Sequence, residues 1–178
     1  MKPILEIHEW KPEFERLPLE DYILTFDDGL YSQYLAKDFL KTLDTPKIFF
    51  ISTNIIRNDE LPNKEIIHCA DAHEKAFRGT FEDYMSWCEI KELKDLGFEI
   101  GGHSHFHKKY EISPLKELYQ NLILDTEIML ENFEQQNIQI QKFCFPYNND
   151  YNALYRGIII NKGIYDFFGN ERIPIEEI

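Results

Sequence analysis

Ile23-Leu24-Thr25-Phe26-Asp27-Asp28-Gly29 ends a short apolar run on two adjacent carboxylates and a glycine. A second run, Ile100-Gly101-Gly102-His103-Ser104-His105-Phe106-His107, ends in a histidine cluster. Carboxylates and imidazoles are ligands that divalent metals accept, and a His-x-x-x-His spacing supplies two of them. We therefore predict a metal held by carboxylate and imidazole groups, with one carboxylate left free beside it.

Apolar runs alternate with helical patterns along the chain, which indicates an α/β fold with a parallel sheet or barrel. Predicted strands cover residues 22–26, 46–51, 98–100, 142–145 and 164–168. Predicted helices cover residues 32–43, 86–97, 113–136 and 152–160. The 178 residues are enough for one domain, so we treat 1–178 as a single unit.

The polar residues with catalytic potential follow directly after predicted strands. In α/β folds, the loops beyond the carboxyl ends of parallel strands form the ligand-binding cleft. We therefore expect residues from separate segments to meet at one rim of the sheet. These residues are Asp27, Asp28, His103, His107, Pro146 and Tyr147.

Residues 53–85 show no clear periodicity, and the segment is far longer than a typical connection. We interpret it as a long insertion loop near the site that acts as a lid or binds substrate. It contains several residues of the types that bind ligands, protons or sugars: His68, Cys69, Asp71, His73 and Phe77.

The chain carries 32 acidic and 19 basic residues, for a net charge of −13. Phosphate backbones require a basic surface, so nucleic acid is not an expected partner. Cys69, Cys88 and Cys144 have no CxxC spacing and are odd in number, which favours free thiols in a reducing compartment. No apolar run approaches the roughly 20 residues needed to cross a bilayer, and no signal-peptide pattern is seen. We therefore expect a cytoplasmic protein without a membrane span.

Two motifs carry a family resemblance. The runs 25–29 and 103–107 resemble T-F-D-D-G and H-[ST]-x-x-[HD], the first two motifs of the polysaccharide deacetylases, also called the NodB-homology or carbohydrate esterase 4 family. Both match at every position, and the resemblance extends over residues 22–170. It implies a distorted (β/α) barrel, here shortened, and hydrolysis of an N-acetyl group on an amino sugar.

The resemblance also implies roles for individual residues. Asp28, His103 and His107 would bind a divalent metal, most plausibly Zn²⁺, and Asp27 would be the catalytic base. The backbone N–H of Tyr147 would stabilise the developing oxyanion. We expect the substrate to contact Pro146 and Tyr147, together with Asp71 and Phe77 from the insertion loop.

The chain departs from the family pattern in two places. The third motif, R-x-P-[YF], corresponds to Cys144-Phe145-Pro146-Tyr147, so its arginine is missing, and we predict that Arg172 supplies the charge instead. The later motifs, including the L-x-H histidine that acts as general acid, have no match before Ile178. His73 or His68 is then the candidate proton donor.

Short relatives of this kind are expected to act on precursors of surface polysaccharides. The predicted substrate is therefore a nucleotide-linked or lipid-linked acylamino sugar. Two alternatives stay open. One is a protein that has lost activity and binds a sugar or a partner. The other is a related hydrolase acting on an N-formyl group, an O-acetyl ester or a cyclic amide, because the core that activates water would be the same.

Overall fold

One sheet of parallel strands forms the centre of the molecule. The computed structural model describes residues 2–60, 68–110, 114–150 and 152–178. The strands are β1 (Ile4–Ile7), β2 (Ile23–Phe26), β3 (Lys47–Ile51), β4 (Glu99–Gly102), β5 (Lys142–Cys144), β6 (Asp166–Phe168) and β7 (Ile173–Pro174). Their order is β6-β5-β4-β3-β2-β1-β7, and every pairing is parallel. The sheet curls into a half-barrel with helices, which confirms the predicted distorted (β/α) barrel.

The connections between strands carry the helices. They are α1 (Tyr31–Leu35), α2 (Lys37–Leu40), α3 (Cys69–Phe77), α4 (Trp87–Asp95), α5 (Leu115–Gln135) and α6 (Ala153–Asn161). Helix α4 begins with the capping box that its sequence predicts: the Ser86 hydroxyl accepts from the Glu89 N–H, and the Glu89 carboxylate accepts from the Ser86 N–H. None of the helices in the described part of the chain is long and apolar enough to cross a membrane.

The central strands are buried on both faces, as parallel strands covered by helices must be. Phe49, Phe50 and Ile51 of β3 have no exposed surface, and the rings of Phe26 and Phe49 stack at 4.4 Å. Strand β4 contacts helix α5 closely, because a Cβ atom on Gly102 would lie only 2.7 Å from the sulfur of Met129. The glycine therefore lets the helix approach the strand that delivers His103.

The structure corrects three sequence predictions. The segment 53–85 contains helix α3, which is only nine residues long and buries only Ala72, so its periodicity was too weak to recognise. Strands β1 and β7 were not predicted. The helix predicted over 32–43 is divided at Ala36 into α1 and α2, and in α1 the polar residues Ser32 and Gln33 are buried and bonded to the backbone of Trp10 and Asp27. Residues 61–67 of the insertion and Ser113, the predicted start of α5, lie outside the described residues.

Candidate active site

A cleft of about 770 Å³ lies at the carboxyl ends of the central strands. Asp27, His103 and His107 line this cleft, together with Tyr147 and His73. These residues come from four segments that are distant in sequence. A larger groove of about 940 Å³ lies between α5, β5 and the end of α6, and it contains none of the predicted site residues.

Asp28 is the point at which the ligand-type side chains converge. It is fully buried and has a positive φ of 71°. Its Oδ1 lies 2.9 Å from His107 Nε2 and 3.3 Å from His103 Nε2, while its Oδ2 lies 3.0 Å from His73 Nε2. Within the described residues, Oδ1 has no hydrogen-bond partner of good geometry. A buried carboxylate oxygen that faces imidazole nitrogens without bonding them suits a cation.

His103 is held by the backbone of the neighbouring strand. Its Nδ1 lies 2.9 Å from the carbonyl oxygen of Cys144, and the side chain is almost fully buried. Because a carbonyl only accepts, we assign the proton to Nδ1. The lone pair of Nε2 then faces Asp28, as in a metal-ligating histidine whose second nitrogen donates to a backbone carbonyl.

His107 is positioned by a tight turn and by an aromatic neighbour. The Ser104 hydroxyl accepts from the His107 N–H at 3.0 Å, and both residues have positive φ values of 65° and 48°. The Tyr147 ring lies 5.0 Å from the His107 ring, and its hydroxyl donates to the His107 carbonyl at 3.2 Å. Ser104 therefore holds the geometry of the histidine turn.

Asp125 of helix α5 holds the same turn by hydrogen bonds to its backbone. Its role was not recognised in the sequence. It is fully buried, and one oxygen accepts from the backbone N–H groups of His105 and Phe106. Its other oxygen accepts from the Tyr110 hydroxyl at 2.6 Å. The side chain of His105 lies near Thr53, with Nδ1 and Oγ1 2.9 Å apart. The histidine between the two candidate ligands thus bonds elsewhere.

Asp27 faces away from Asp28 and contacts a buried guanidinium. Arg172 Nη1 donates to Asp27 Oδ1 at 2.7 Å, and Nη2 donates to Oδ2 at 2.8 Å. Nη2 also donates to Glu6 and to Asn148, each at 2.8 Å. Arg172 lies just before β7, at the end of the sheet next to β1. The structure therefore places a charge against Asp27 from the segment that the sequence suggested.

The pKa values of both carboxyls are lowered. Burial acts to raise the pKa of Asp27, but the Arg172 guanidinium outweighs it and holds the pKa below its ordinary value. Burial acts in the same way on Asp28, but His107 outweighs it and holds the pKa of Asp28 well below the ordinary value. Both side chains are therefore ionised at neutral pH, and the site presents two adjacent negative charges.

Cys144 stands at the position of the arginine in the R-x-P-[YF] pattern. Its sulfur lies 3.6 Å from Asp27 Oδ2, and burial raises the pKa of the thiol well above its ordinary value. The side chain is thus neutral and fills space beside Asp27. The guanidinium of Arg172 provides the charge that the missing arginine does not.

Helix α3 reaches the site from the insertion. The Glu9 carboxylate accepts from the Cys69 N–H at 2.7 Å and lies 3.1 Å from His68 Nδ1, which fixes the start of the helix to the end of β1. His73, one turn further, stacks on the His107 ring at 5.2 Å. The side chain of His68 is largely exposed at the rim of the cleft.

The remaining sequence candidates lie outside the cleft. Asp71 and Phe77 are exposed, Phe77 to 82%, and neither belongs to the described residues that line the cleft. Pro146 is buried and precedes Tyr147, which has a positive φ of 57°. The structure therefore brings Tyr147 to the site through the turn that Pro146 begins, and it does not bring Asp71 or Phe77 there.

Four residues that contact the site were not recognised in the sequence: Glu6, Glu9, Asp125 and Asn148. Glu6 interrupts the apolar run Ile4-Leu5-Glu6-Ile7, and Asp125 lies on the stripe that contains Leu122 and Met129. A charged residue on the buried face of a predicted strand or helix needs a partner. This was the signal available in the sequence for Glu6 and Asp125.

Several solved structures have the same fold. The structure of IcaB from Ammonifex degensii matches with a TM-score of 0.70 and 18% identity, covering 98% of this chain and 86% of that one. The BpsB deacetylase domain from Bordetella bronchiseptica matches with a TM-score of 0.67 and 14% identity, covering 94% of this chain and 88% of that one. Streptococcus pyogenes deacetylase PplD, in complex with acetate, matches with a TM-score of 0.63 and 16% identity, covering 89% of this chain and 79% of that one.

No curated protein matches the sequence significantly. The family pattern described as polysaccharide deacetylase, however, matches residues 17–165, which is most of the chain. The half-barrel of parallel strands and the fold of the structural neighbours agree with this match. The chain belongs to the polysaccharide deacetylase family.

Proposed function

We propose that this protein is a metal-dependent hydrolase that removes an N-acetyl group from an amino sugar, in a precursor of a cell-surface polysaccharide. One observation carries the proposal. An ionised carboxylate, Asp27, lies next to the cluster of Asp28, His103 and His107 and takes no part in it. A metal site alone does not require this second carboxylate, whereas hydrolysis of an amide requires a base.

Asp28, His103 and His107 are the proposed metal ligands, because one donor atom from each lies within 4.8 Å of the others. One carboxylate and two imidazoles match the ligand types of Zn²⁺ in catalytic sites, with positions left for water and substrate. A divalent ion held there would polarise the acyl carbonyl and lower the pKa of a bound water.

Asp27 is the proposed base that takes a proton from the attacking water. Arg172 binds both of its oxygens and fixes the carboxylate plane. The same guanidinium lowers the pKa of Asp27, so the carboxylate is ionised but only weakly basic. A proposed catalytic role for Arg172 follows: it positions Asp27 and sets its basicity, in place of the arginine missing at Cys144.

Tyr147 and His73 complete the proposed machinery. The backbone N–H of Tyr147 would donate to the oxyanion of the tetrahedral intermediate, a role that depends on its backbone conformation and not on its side chain. His73 would protonate the leaving amine. It lies at the cleft with its Nε2 3.0 Å from Asp28 Oδ2, and Asp28 raises the pKa of His73, which favours the protonated form needed in a proton donor.

The charge of the cleft bears on what the acylamino sugar is attached to. Glu6, Glu9, Asp27 and Glu176 line it, and Lys and Arg are absent from the described lining. Three of these carboxylates are paired with cations, Glu6 and Asp27 with Arg172 and Glu9 with Lys11, so the charge of the lining is compatible with a diphosphate on the reacting sugar. The proposed substrate therefore stays the nucleotide-linked or lipid-linked acylamino sugar that the sequence predicts, and N-acetylated oligosaccharides are assayed beside it.

The first experiment measures metal content and acid release on the same preparations. Elemental analysis of the wild type is compared with His103→Ala, and acetate and formate are assayed with N-acetylated oligosaccharides and with UDP-linked acylamino sugars. In protein as purified, without added metal, we expect one metal equivalent in the wild type and its loss in His103→Ala, with acetate released by the wild type and not by His103→Ala. His105→Ala is the matched control, because His105 belongs to the same turn but bonds to Thr53.

The alternatives give different results in this experiment. Formate in place of acetate, or hydrolysis of O-acetyl esters or cyclic amides only, would indicate the related hydrolase. Bound metal without any release across the panel would favour a sugar-binding protein that has lost activity. A wild type without metal after reconstitution would contradict the proposed site.

A further inference from the structure

We propose a second divalent-cation site, formed by Asp28 Oδ2, Cys69 Sγ and His73 Nε2, beside the site of Asp28, His103 and His107. Occupation of this second site would inhibit the hydrolase. The binding part of the proposal does not depend on the proposed activity, whereas the inhibition rests on it. The two parts are therefore tested by separate measurements.

The donor atoms of the second site lie close together. His73 Nε2 is 3.0 Å from Asp28 Oδ2, and Cys69 Sγ is 3.9 Å from the same oxygen. Sγ also lies 3.8 Å from Nδ1, the other ring nitrogen of His73. One donor atom from each of the three residues falls within 4.8 Å of the other two. Ligand bonds of about 2.0–2.3 Å around one ion require distances of this order.

The chemistry of the three donors suits a borderline or soft divalent ion. Thiolate, imidazole and carboxylate together are a set that Zn²⁺ and Co²⁺ accept and that Mg²⁺ and Ca²⁺ do not favour. Cys69 and His73 are four residues apart on α3, so they lie on one helix face. His73 Nε2 is a buried atom without a hydrogen-bond partner of good geometry in the described residues, so an ion that displaces its proton meets no competing donor there.

The two sites use different oxygens of one carboxylate. His103 and His107 face Asp28 Oδ1, while His73 and Cys69 face Oδ2. A carboxylate that bridges two ions holds them about 3.5–4 Å apart in two-metal sites. The side chain of Asp28 is fully buried, so its two oxygens face these side chains and not bulk solvent. The geometry therefore favours a bridging carboxylate over a single shared ion.

The second set of donors is held in place by the fold. Glu9 accepts from the Cys69 N–H and lies beside His68, so the first turn of α3 is fixed to the end of β1. His73 stacks on His107, which orients its ring. Both Cys69 and His73 line the cleft, so an ion reaches them from solvent.

Binding at the second site would remove the proposed proton donor. Cys69 would release its thiol proton to solvent, and the lone pair of His73 Nε2 would be shared with the ion. His73 then has no proton at that nitrogen to give to the leaving amine. Excess metal would therefore lower turnover while the first site stays filled.

The test is a titration of metal-free protein with Co²⁺, followed by absorption spectroscopy and by elemental analysis after gel filtration. We expect about two equivalents to bind. The thiolate-to-cobalt charge-transfer band in the near ultraviolet should grow only with the second. In Cys69→Ser, the band should disappear and the second equivalent should bind at least about tenfold more weakly. Cys88→Ser is the matched control, because Cys88 is exposed on α4 and is not among the described residues that line the cleft.

Binding of the first equivalent by Cys69→Ser checks that the variant is folded. His73→Asn provides an independent variant and should weaken the same second equivalent. Any of three results would overturn the proposal. The wild type binds only one equivalent of Co²⁺, the thiolate band grows with the first equivalent, or Cys69→Ser binds the second equivalent as tightly as the wild type does. Inhibition is read separately: excess Zn²⁺ should slow the wild type and Cys88→Ser, but not Cys69→Ser. Equal inhibition of all three would refute the inhibitory role alone.

Discussion

Arg172 and Cys144 both contact Asp27, and the charge comes from Arg172 and not from the motif position that Cys144 occupies. The arginine position of the third motif holds a neutral thiol 3.6 Å from Asp27, and the guanidinium arrives from beside β7 at 2.7 and 2.8 Å. A buried carboxylate without a cationic partner would strongly destabilise the folded protein. The position of Arg172 therefore satisfies stability and, in our proposal, catalysis at once.

Asp27→Asn tests the assigned base. The substitution keeps the shape and leaves Asp28, His103 and His107 in place, so we expect the metal content to be unchanged. Loss of the proton acceptor should lower kcat by about 10²–10⁴-fold. The measurement pairs elemental analysis with acetate release at saturating substrate. Turnover near the wild-type rate would exclude Asp27 as the base.

Arg172→Gln tests the control of Asp27 by its partner. Arg172 holds the pKa of Asp27 down, so its removal should raise that pKa. Activity requires ionised Asp27, and the acidic limb of the kcat/KM profile should therefore move to higher pH by about 1 unit or more. Removing the cation also leaves Asp27 and Glu6 buried without the guanidinium that pairs with both, which should cost about 3–5 kcal/mol of stability.

Arg172→Lys is the control for this prediction. It keeps the charge but lacks the planar fork that binds both oxygens. The acidic limb should then lie between those of wild type and Arg172→Gln. An unshifted limb in Arg172→Gln, measured on protein shown to be folded, would mean that Arg172 has only a structural role.

The loops after the strands concentrate the unusual backbone conformations. Five non-glycine residues with positive φ lie in the turns that follow β2, β4 and β5: Asp28, Ser104, His107, Tyr147 and Asn148. Such conformations cost of order 1–3 kcal/mol each and persist only where surrounding contacts impose them. Buried side-chain acceptors supply two of those contacts here, as Ser104 and Asp125 do in the histidine turn.

Asp125→Asn should loosen the histidine turn without touching a proposed ligand. The amide cannot accept from both backbone N–H groups and from Tyr110 as the carboxylate does. We expect metal affinity to fall by about 10–100-fold, the range seen when a residue that orients a ligand is lost. Competition with a chelator measures this. Tyr110→Phe removes one of the bonds only and should have a smaller effect.

At the scale of the whole molecule, two buried carboxylates lie inside a protein that is itself acidic. The chain carries a net charge of −13, and Asp27 and Asp28 are buried side by side. Their pKa values are lowered in the folded protein. Each therefore contributes stability that is present above the unfolded pKa of about 4 and is lost as the pH falls through the lower folded value.

Metal binding should raise the stability of the folded state. An ion that binds only the folded protein adds about 2.7 kcal/mol at a free concentration of 100 times Kd. We expect Tm to rise on addition of Zn²⁺ to metal-free protein and to fall again with a chelator, as followed by circular dichroism. His107→Ala should abolish most of the shift, since it removes a proposed ligand. An equal rise in that variant would indicate binding elsewhere.

Local patterns in the sequence were sufficient for much of the fold. Short apolar runs predicted five of the strands, because parallel strands that are buried on both faces have nearly continuous apolar sequences. The capping box at Ser86 and the apolar stripe of α5 predicted two helices. Prediction failed at α3 and β7, which are short and bury little, and at β1, where Glu6 interrupts the run.

The two motifs at 25–29 and 103–107 determined the family and named Asp27, Asp28, His103 and His107 as site candidates, because adjacent ligand types at strand ends form a local signal. Only the tertiary structure decided their partners. Arg172 reaches Asp27 across 145 positions of sequence. Asp125 supports the histidine turn from a helix, and His73 reaches Asp28 from α3. Parallel strand order brings such groups together in space, and no spacing along the chain records that order.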